Sequence, residues 1–194
     1  MRRHPALPPR RAALVLLMVG AGLSSALAHG PTPQKIEADV TIAAPPDAVW
    51  AVAGRFGDVA AWNPLVASGK STGTGTKNGD TRTLTLKNGG ILHESLDEYD
   101  AAQRSYSYRL DDPDLKALPV SSYSATLTVT PDGTGSKVAW FGRFYRGDTG
   151  NEPPEELSDA AGRAAMKAYF ETGLAGLKAK VEGNGAGTKA GAVR

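Results

Sequence analysis

The sequence predicts an α+β domain: a curved antiparallel sheet of about seven strands wrapped around a long C-terminal helix, with two short helices after the first strand. Three observations predict it. Short segments of alternating apolar and polar residues recur between residues 35 and 145, punctuated by turns, which is the pattern of hairpin-linked strands. A proline-started helical segment interrupts them early, at Pro45-Pro46-Asp47. Near the C-terminus, Met166, Phe170, Leu174, Leu177 and Val181 recur at steps of three and four, a single apolar stripe able to cover one sheet face.

In chain order, Lys35–Ala43 sets Ile36, Ala38, Val40 and Ile42 on one side of a strand. Asp47–Ala53 follows as a short helix, and Asp58–Trp62 as a second one that ends before Pro64. Leu65–Lys70 is a weak strand, whereas Thr81–Lys87 alternates clearly, with Leu84 and Leu86 opposite Thr83 and Thr85. Asn88-Gly89-Gly90 is a tight turn into the strand Ile91–Tyr99. Ser105–Leu110 places Tyr106, Tyr108 and Leu110 together, and Tyr123–Thr130 does the same for Tyr123, Ala125, Leu127 and Val129. Pro131-Asp132-Gly133 turns the chain, and Lys137–Tyr145 closes the sheet with Val138, Trp140 and Phe144 on one face. The helix is expected over Pro154–Val181, where Gly173 and Gly176 each cost about 1 kcal/mol of helix stability and so imply close approach to a neighbour. The domain spans 35–182, and 183–194, rich in Gly, Ala and Lys, reads as a disordered tail.

Residues 1–28 read as a secretory signal peptide. Arg2, Arg3, Arg10 and Arg11 form a basic start, Ala12 to about Leu23 an apolar run, and Ala26-Leu27-Ala28 a small-x-small cleavage site. The apolar run falls short of the roughly 20 residues of a membrane span, so no membrane span is expected. Cleavage after Ala28 places the protein in a bacterial periplasm or outside the cell. The formal charge of +2 belongs to the leader, which holds four of the 22 Lys+Arg and none of the 20 Asp+Glu; the remainder carries 18 against 20, or −2. No basic stripe remains, and nucleic acid is rejected as a partner. The absence of cysteine removes disulfides, a lipid-anchoring cysteine, thiolate metal sites and thiol nucleophiles.

Catalytic constellations are scarce. No Gly-x-Ser-x-Gly elbow is present, and Gly73-x-Gly75 lacks the lysine-hydroxyl pair of a phosphate loop. His93 is expected on the solvent face. His29, as a new N-terminus, would be a chelating imidazole without a second histidine nearby, so no metal and no cofactor are predicted. The informative residue is Glu94. Alternation sets it between Leu92 and Leu96, and a carboxylate among apolar groups needs a partner or a proton. Arg82 shares the parity of Leu84 and Leu86. Two readings stand open: Arg82, Glu94 and Tyr123 form the polar end of an apolar cavity and orient a ligand, or Arg82 and Glu94 form an internal ion pair that only fixes the sheet. A curved sheet around a helix leaves a space suited to a ligand. Arg82, Leu84, Leu86, Glu94, Tyr106, Tyr108, Tyr123, Trp140, Phe144, Phe170 and Leu174 are expected to line it.

The ordered set Val40-Thr41-Ile42-Ala43-Ala44-Pro45-Pro46-Asp47-Ala48-Val49-Trp50, Phe56-Gly57, Trp62-Asn63-Pro64, Arg82-Thr83-Leu84, Glu94-Ser95-Leu96, Pro119 to Tyr123 and Gly173-Leu174-Ala175-Gly176-Leu177 resembles the SRPBCC superfamily of START and polyketide cyclase/dehydrase proteins over about Lys35–Val181. The resemblance implies the helix-grip fold. Within the superfamily the chain is similar to exported MxaD-like proteins associated with methanol oxidation, which implies a periplasmic dehydrogenase as partner. It also resembles plant abscisic-acid receptors at Arg82, Glu94 and Tyr123. It departs from them at Ala67 and Gly173, where they carry a lysine and an asparagine, and at Leu115–Val120, which lacks their His-Arg-Leu latch; the place of a pocket carries over, the acid-binding set does not. The expected function is binding of a small apolar or amphipathic molecule. The alternative is a cyclase- or dehydratase-like enzyme with Glu94 as general acid/base and Tyr123 or Tyr108 as helper. Fold alone does not decide between them.

Overall fold

The computed structural model describes residues 30–190, with side chains described to residue 183. The expected signal peptide and His29 lie outside the described residues, as do 191–194. Seven strands form one antiparallel sheet: β1 (Gln34–Ile42), β2 (Val66–Ser71), β3 (Thr81–Leu86), β4 (Ile91–Asp100), β5 (Ser105–Asp112), β6 (Val120–Asp132) and β7 (Gly135–Arg146), in the order β1-β7-β6-β5-β4-β3-β2. The first strand thus pairs with the last, and consecutive strands from β2 to β7 are neighbours. Irregular register between Val66 and Ser68, His93 and Glu94, Leu96 and Glu98, and Val120 and Ser122 bends the sheet, giving a half-barrel. The helix α1 (Pro46–Ala53) and the long helix α2 (Asp159–Ala190) complete the helix-grip architecture.

Local chemistry sets the element ends. Pro46 opens α1, where its missing N–H costs nothing. The second expected helix is a 3-10 turn, Phe56–Ala61, kinked at Asp58; Gly57 and the bend at Trp62-Asn63-Pro64 leave too little chain for an α-helix. Before α2, Pro153 and Pro154 confine the chain to a short 3-10 turn at Glu155–Leu157, and Ser158 caps the helix by accepting from the Ala161 amide at 3.2 Å. The helix therefore starts at Asp159, five residues later than the sequence predicts. Its backbone runs on to Ala190, across part of the expected tail, because extending a formed helix costs little. Val181 is the last buried residue of the stripe.

The core lies between the concave sheet face and α2. Met166, Phe170, Leu174, Leu177 and Val181 are all buried against Ile42, Leu127, Val138 and Trp140, among others. The two helix glycines have the predicted cause. A β-carbon on Gly173 would lie 2.8 Å from Asn63 Nδ2 and 2.9 Å from Trp140 Cζ3, and one on Gly176 would lie 2.0 Å from the Trp62 carbonyl oxygen. The helix thus presses directly on the segment leading into β2. At the free edge of β1, Lys178 Nζ donates to the Thr41 carbonyl at 2.7 Å and the Ala43 amide donates to Glu182 at 2.9 Å, which occupies backbone groups that an edge strand would otherwise offer to another chain.

The glycine contacts yield a sign test. Gly176→Ala should lower stability by about 1–3 kcal/mol through overpacking, reversing the gain of about 1 kcal/mol that helix propensity gives. Gly183→Ala, whose added methyl meets nothing within 4 Å, should raise stability. Urea midpoints measure both; a stabilising Gly176→Ala contradicts the close approach.

Candidate functional site

Strand pairing builds the centre of the site. Arg82 on β3 stands opposite Glu94 on β4, and both side chains are fully buried. Arg82 Nε donates to Glu94 Oε2, and Tyr123 Oη, from β6, donates to Glu94 Oε1. Arg82 Nη1 donates to the Phe56 carbonyl at 2.8 Å. The guanidinium also lies 4.1 Å from the Phe56 ring centroid and 4.4 Å from that of Tyr108, the geometry of a cation–π contact on each. Burial works against the Arg82 charge, and the adjoining Glu94 offsets it and holds the guanidinium well above its ordinary value. Three strands and the 3-10 turn thus converge on one ion pair.

An aromatic shell surrounds it. Trp140 Nε1 donates to Tyr108 Oη at 3.0 Å, and Trp140 stacks on Phe170 of α2 at 4.3 Å between centroids, 5° from parallel. Tyr169 packs 5.7 Å from Trp140, and Tyr106 lies 5.8 Å from Phe56. Burial raises the phenols of Tyr106, Tyr108, Tyr123 and Tyr169 above the usual tyrosine value, and Glu94 pushes all four further. All four are neutral hydroxyls at ordinary pH. Among the described residues, Arg82 Nη2, Tyr106 Oη, Tyr169 Oη and Trp62 Nε1 are buried without a hydrogen-bond partner.

The predicted residues divide. Arg82, Glu94, Tyr106, Tyr108 and Tyr123 meet at the centre, with Trp140 and Phe170 stacked beside it. Leu84 stands between Leu92 on β4 and Gly69 on β2, and Phe144 lies opposite Tyr123 and against Gly162 of α2. Leu86 lines a cavity at the open end of the grip. Leu174 lines a separate groove of about 330 Å³ between β1 and α2. The hollow expected around Glu94 is filled: among the cavities described, none is lined by Arg82, Glu94 or Tyr123. Seven aromatic side chains, Phe56, Tyr106, Tyr108, Tyr123, Trp140, Tyr169 and Phe170, pack ring against ring there, a volume balance that alternation cannot register. His93 is exposed as expected. Ser95 shares its face yet is buried, where it donates to Asp111.

The open end is a mouth of about 190 Å³, lined by Leu65, Leu86, Lys87, Asn88, Ala117, Leu118, Ala165 and Tyr169. The β3–β4 turn and the β5–β6 loop clasp each other across it. Asn88 Nδ2 donates to the carbonyls of Lys116 at 2.8 Å and Ala117 at 3.2 Å. The Ile91 amide donates to Asp114 at 2.7 Å, and that bond, with the one from Lys116, holds the Asp114 carboxyl below its usual value. A β-carbon on Gly90 would fall 2.3 Å from Ala117 Cα. Tyr169 joins the mouth to the centre. Sequence reading passed over it, although it lies three residues after Met166 and four before Gly173, on the stripe's own spacing. Phe56 entered the sequence reading only through the resemblance, and Asn88 only as a turn former. A larger groove, about 440 Å³, lies outside the grip between Trp50, Tyr99 and the β2–β3 loop. Among the described residues no cluster of His, Asp and Glu has the arrangement of a metal site, and no helix is long and apolar enough to cross a membrane.

Residues 33–182 match the family model described as polyketide cyclase / dehydrase and lipid transport. The chain belongs to that family. Its fold suits the binding of small hydrophobic ligands. No curated protein matches the chain. Among solved structures it is similar to XoxI from Bacillus cereus, at 25% identity over 74% of this chain and 92% of that one, with a TM-score of 0.62. A protein from Thermobifida fusca is similar at 26% identity over 78% and 93%, with a TM-score of 0.61. Norcoclaurine synthase from Thalictrum flavum, solved with a transition-state analogue, shares the fold at 16% identity over 79% and 97%, with a TM-score of 0.60.

Alkaline titration tests the buried centre. The folded-state values of Tyr106, Tyr108, Tyr123 and Tyr169 lie above the unfolded value of about 10. Their contribution to stability is therefore complete below about pH 10 and is lost as pH rises beyond it. Tyrosinate absorbance should show these four phenols ionising only together with unfolding. A single wave near pH 10 with the fold intact would contradict their burial beside Glu94.

Proposed function

We propose that the domain holds a small apolar or amphipathic molecule between the sheet and α2, admitted through the mouth, and that it binds this molecule without transforming it. One observation carries the reading: a mostly apolar mouth opens on Tyr169, and behind Tyr169 lies a fully buried ion pair with unpartnered donor atoms around it. Apolar walls with a few convergent polar groups are the usual make-up of a ligand site. Glu94 supports holding over proton transfer. Both of its oxygens accept, from Arg82 and from Tyr123, and none of the cavities described is lined by Glu94. Entry requires the clasp between Asn88 and the Lys116–Ala117 carbonyls to open and Tyr169 to swing, since the interior is packed.

We further propose that the protein acts outside the cytoplasm, released from its leader after Ala28; the basic, apolar, small-residue order of residues 1–28 supports this. The likeness to MxaD-like proteins supports a role beside a periplasmic dehydrogenase. In this setting a domain without cysteine relies on its packed hydrophobic core.

Expression of the whole chain in a bacterial host, followed by gentle periplasmic extraction, tests these points together. N-terminal sequencing should begin at His29, and native mass spectrometry should show a species heavier than the polypeptide by one small molecule that is lost on denaturation. An uncut chain retained in the cytoplasm contradicts the export. Bare polypeptide that also takes up no neutral apolar probe contradicts the binding. A tagged periplasmic protein that brings down no dehydrogenase rejects that partner.

A further inference from the structure

Beside its buried stripe, α2 carries a second one that faces outward. Lys167, Glu171, Ala175, Lys178 and Glu182 recur at steps of three and four on one side of the helix. The last four, with Leu174 and Ala179, form the α2 wall of the groove of about 330 Å³ whose other side is Asp39 and Val40 of β1. Val40, Leu174, Ala175 and Ala179 give the groove an apolar surface, and the charged residues flank it. Their side chains remain within reach of a partner: Lys167 and Glu171 are 56% and 52% exposed, Lys178 and Glu182 41% and 33%.

Two observations select what fits there. Lys178 and Glu182 already engage the Thr41 carbonyl and the Ala43 amide at the edge of β1, which points to a helix rather than an added strand as the occupant. The charge order along the stripe is Lys, Glu, then Leu-Ala, then Lys, Glu, and reversed it becomes its own opposite. An antiparallel copy centred between Leu174 and Ala175 sets Lys167 against Glu182 and Glu171 against Lys178, each pairing occurring twice by symmetry. A slip of one turn either way sets Lys167 against Lys178 or Glu171 against Glu182, so like charges exclude the neighbouring registers. The pairs Lys167–Glu171 and Lys178–Glu182 within each helix are kept in this arrangement. Lys178 donates to Thr41 and Glu182, and an ammonium has a third hydrogen to give.

We propose that the occupant is a second copy of this chain: two α2 helices pack antiparallel about a two-fold axis between Leu174 and Ala175, each lying along the groove of the other. Such an interface is isologous, the same patch serving both subunits. Exposed ion pairs contribute little singly and are screened by salt, so the dimer is weak and salt-sensitive, with the apolar groove supplying attraction and the charges supplying register. The mouth shares none of its lining residues with this groove, and the inference stands apart from the ligand reading.

Sedimentation equilibrium of the purified protein tests the pairing. A monomer–dimer equilibrium should appear in about 20 mM NaCl and weaken in about 0.5 M. Glu171→Lys and Lys178→Glu should each raise the dissociation constant at least about tenfold by placing like charges across the axis. Mixing the two variants should restore dimers, because each reversed charge then meets its opposite on the other chain. The chain has no cysteine, so one introduced thiol reports the contact without relying on charge: Ala175→Cys, beside the axis, should give a disulfide-linked dimer under mild oxidation, and Lys180→Cys, exposed on another side of the helix, should not. A protein that stays monomeric at about 0.5 mM, well above the micromolar range of ordinary weak complexes, overturns the proposal. So does a dimer that Glu171→Lys leaves intact, a mixture that stays monomeric, or equal cross-linking through both thiols.

Discussion

A guanidinium and a carboxylate face each other across two neighbouring strands, with no water-exposed surface on either. Taking both charges out of water costs several kcal/mol per ion, and the pair is tolerable only because its surroundings answer it atom by atom. The Phe56 carbonyl accepts one guanidinium nitrogen, two aromatic faces lie against the cation, and the Tyr123 hydroxyl donates to the second carboxylate oxygen. Those partners come from the 3-10 turn, β5 and β6. The pair therefore fixes how far the turn after α1 lies from the sheet and which way three strands face one another. Any ligand that reaches the interior meets a centre whose charge is already balanced.

The helix completes the enclosure by contact at backbone distance. Gly173 and Gly176 let α2 settle onto Asn63 and Trp62, and that depth brings Phe170 face to face with Trp140 and Tyr169 across the mouth. A helix held one methyl further out would leave the aromatic stack incomplete. The opposite wall depends on a second close approach, Gly90 against Ala117, where two loops share the hydrogen bonds of Asn88 and Asp114. Access and closure thus reside in a few small residues, while the aromatic groups they bring together form the packed interior.

Much of this was legible because strands report their faces. Leu92 and Leu96 fix the parity of Glu94, Leu84 and Leu86 fix that of Arg82, and Ala125 and Leu127 fix that of Tyr123, so the shared face of the three polar residues was legible from period-two alternation, while the register that brings them together was not. What alternation cannot carry is volume and reach. Phe56 sits in a kinked 3-10 turn with no period to read, yet it supplies both a carbonyl and a ring to Arg82. Asn88 is a turn former by type, and only the folded chain shows its amide crossing to Lys116. The bulges around Glu94 are invisible in composition, and Ser95 is buried between them. The expected hollow was inferred from architecture; whether it is open depends on the summed bulk of Tyr106, Tyr108, Trp140, Tyr169 and Phe170, which packing settles. The boundary of the helix was displaced for a similar reason, since Ser158 caps it locally whatever the stripe suggests upstream.

The dependence of the fold on the buried pair is measured most directly by a double-mutant cycle in urea, with Arg82→Met, Glu94→Leu and the two together. Each single substitution should cost about 3–5 kcal/mol by stranding the opposite charge in the interior, and the double should cost far less than their sum. Single losses near the 0–1 kcal/mol of a surface pair, adding without coupling, would contradict a dry ion pair at the centre of the grip.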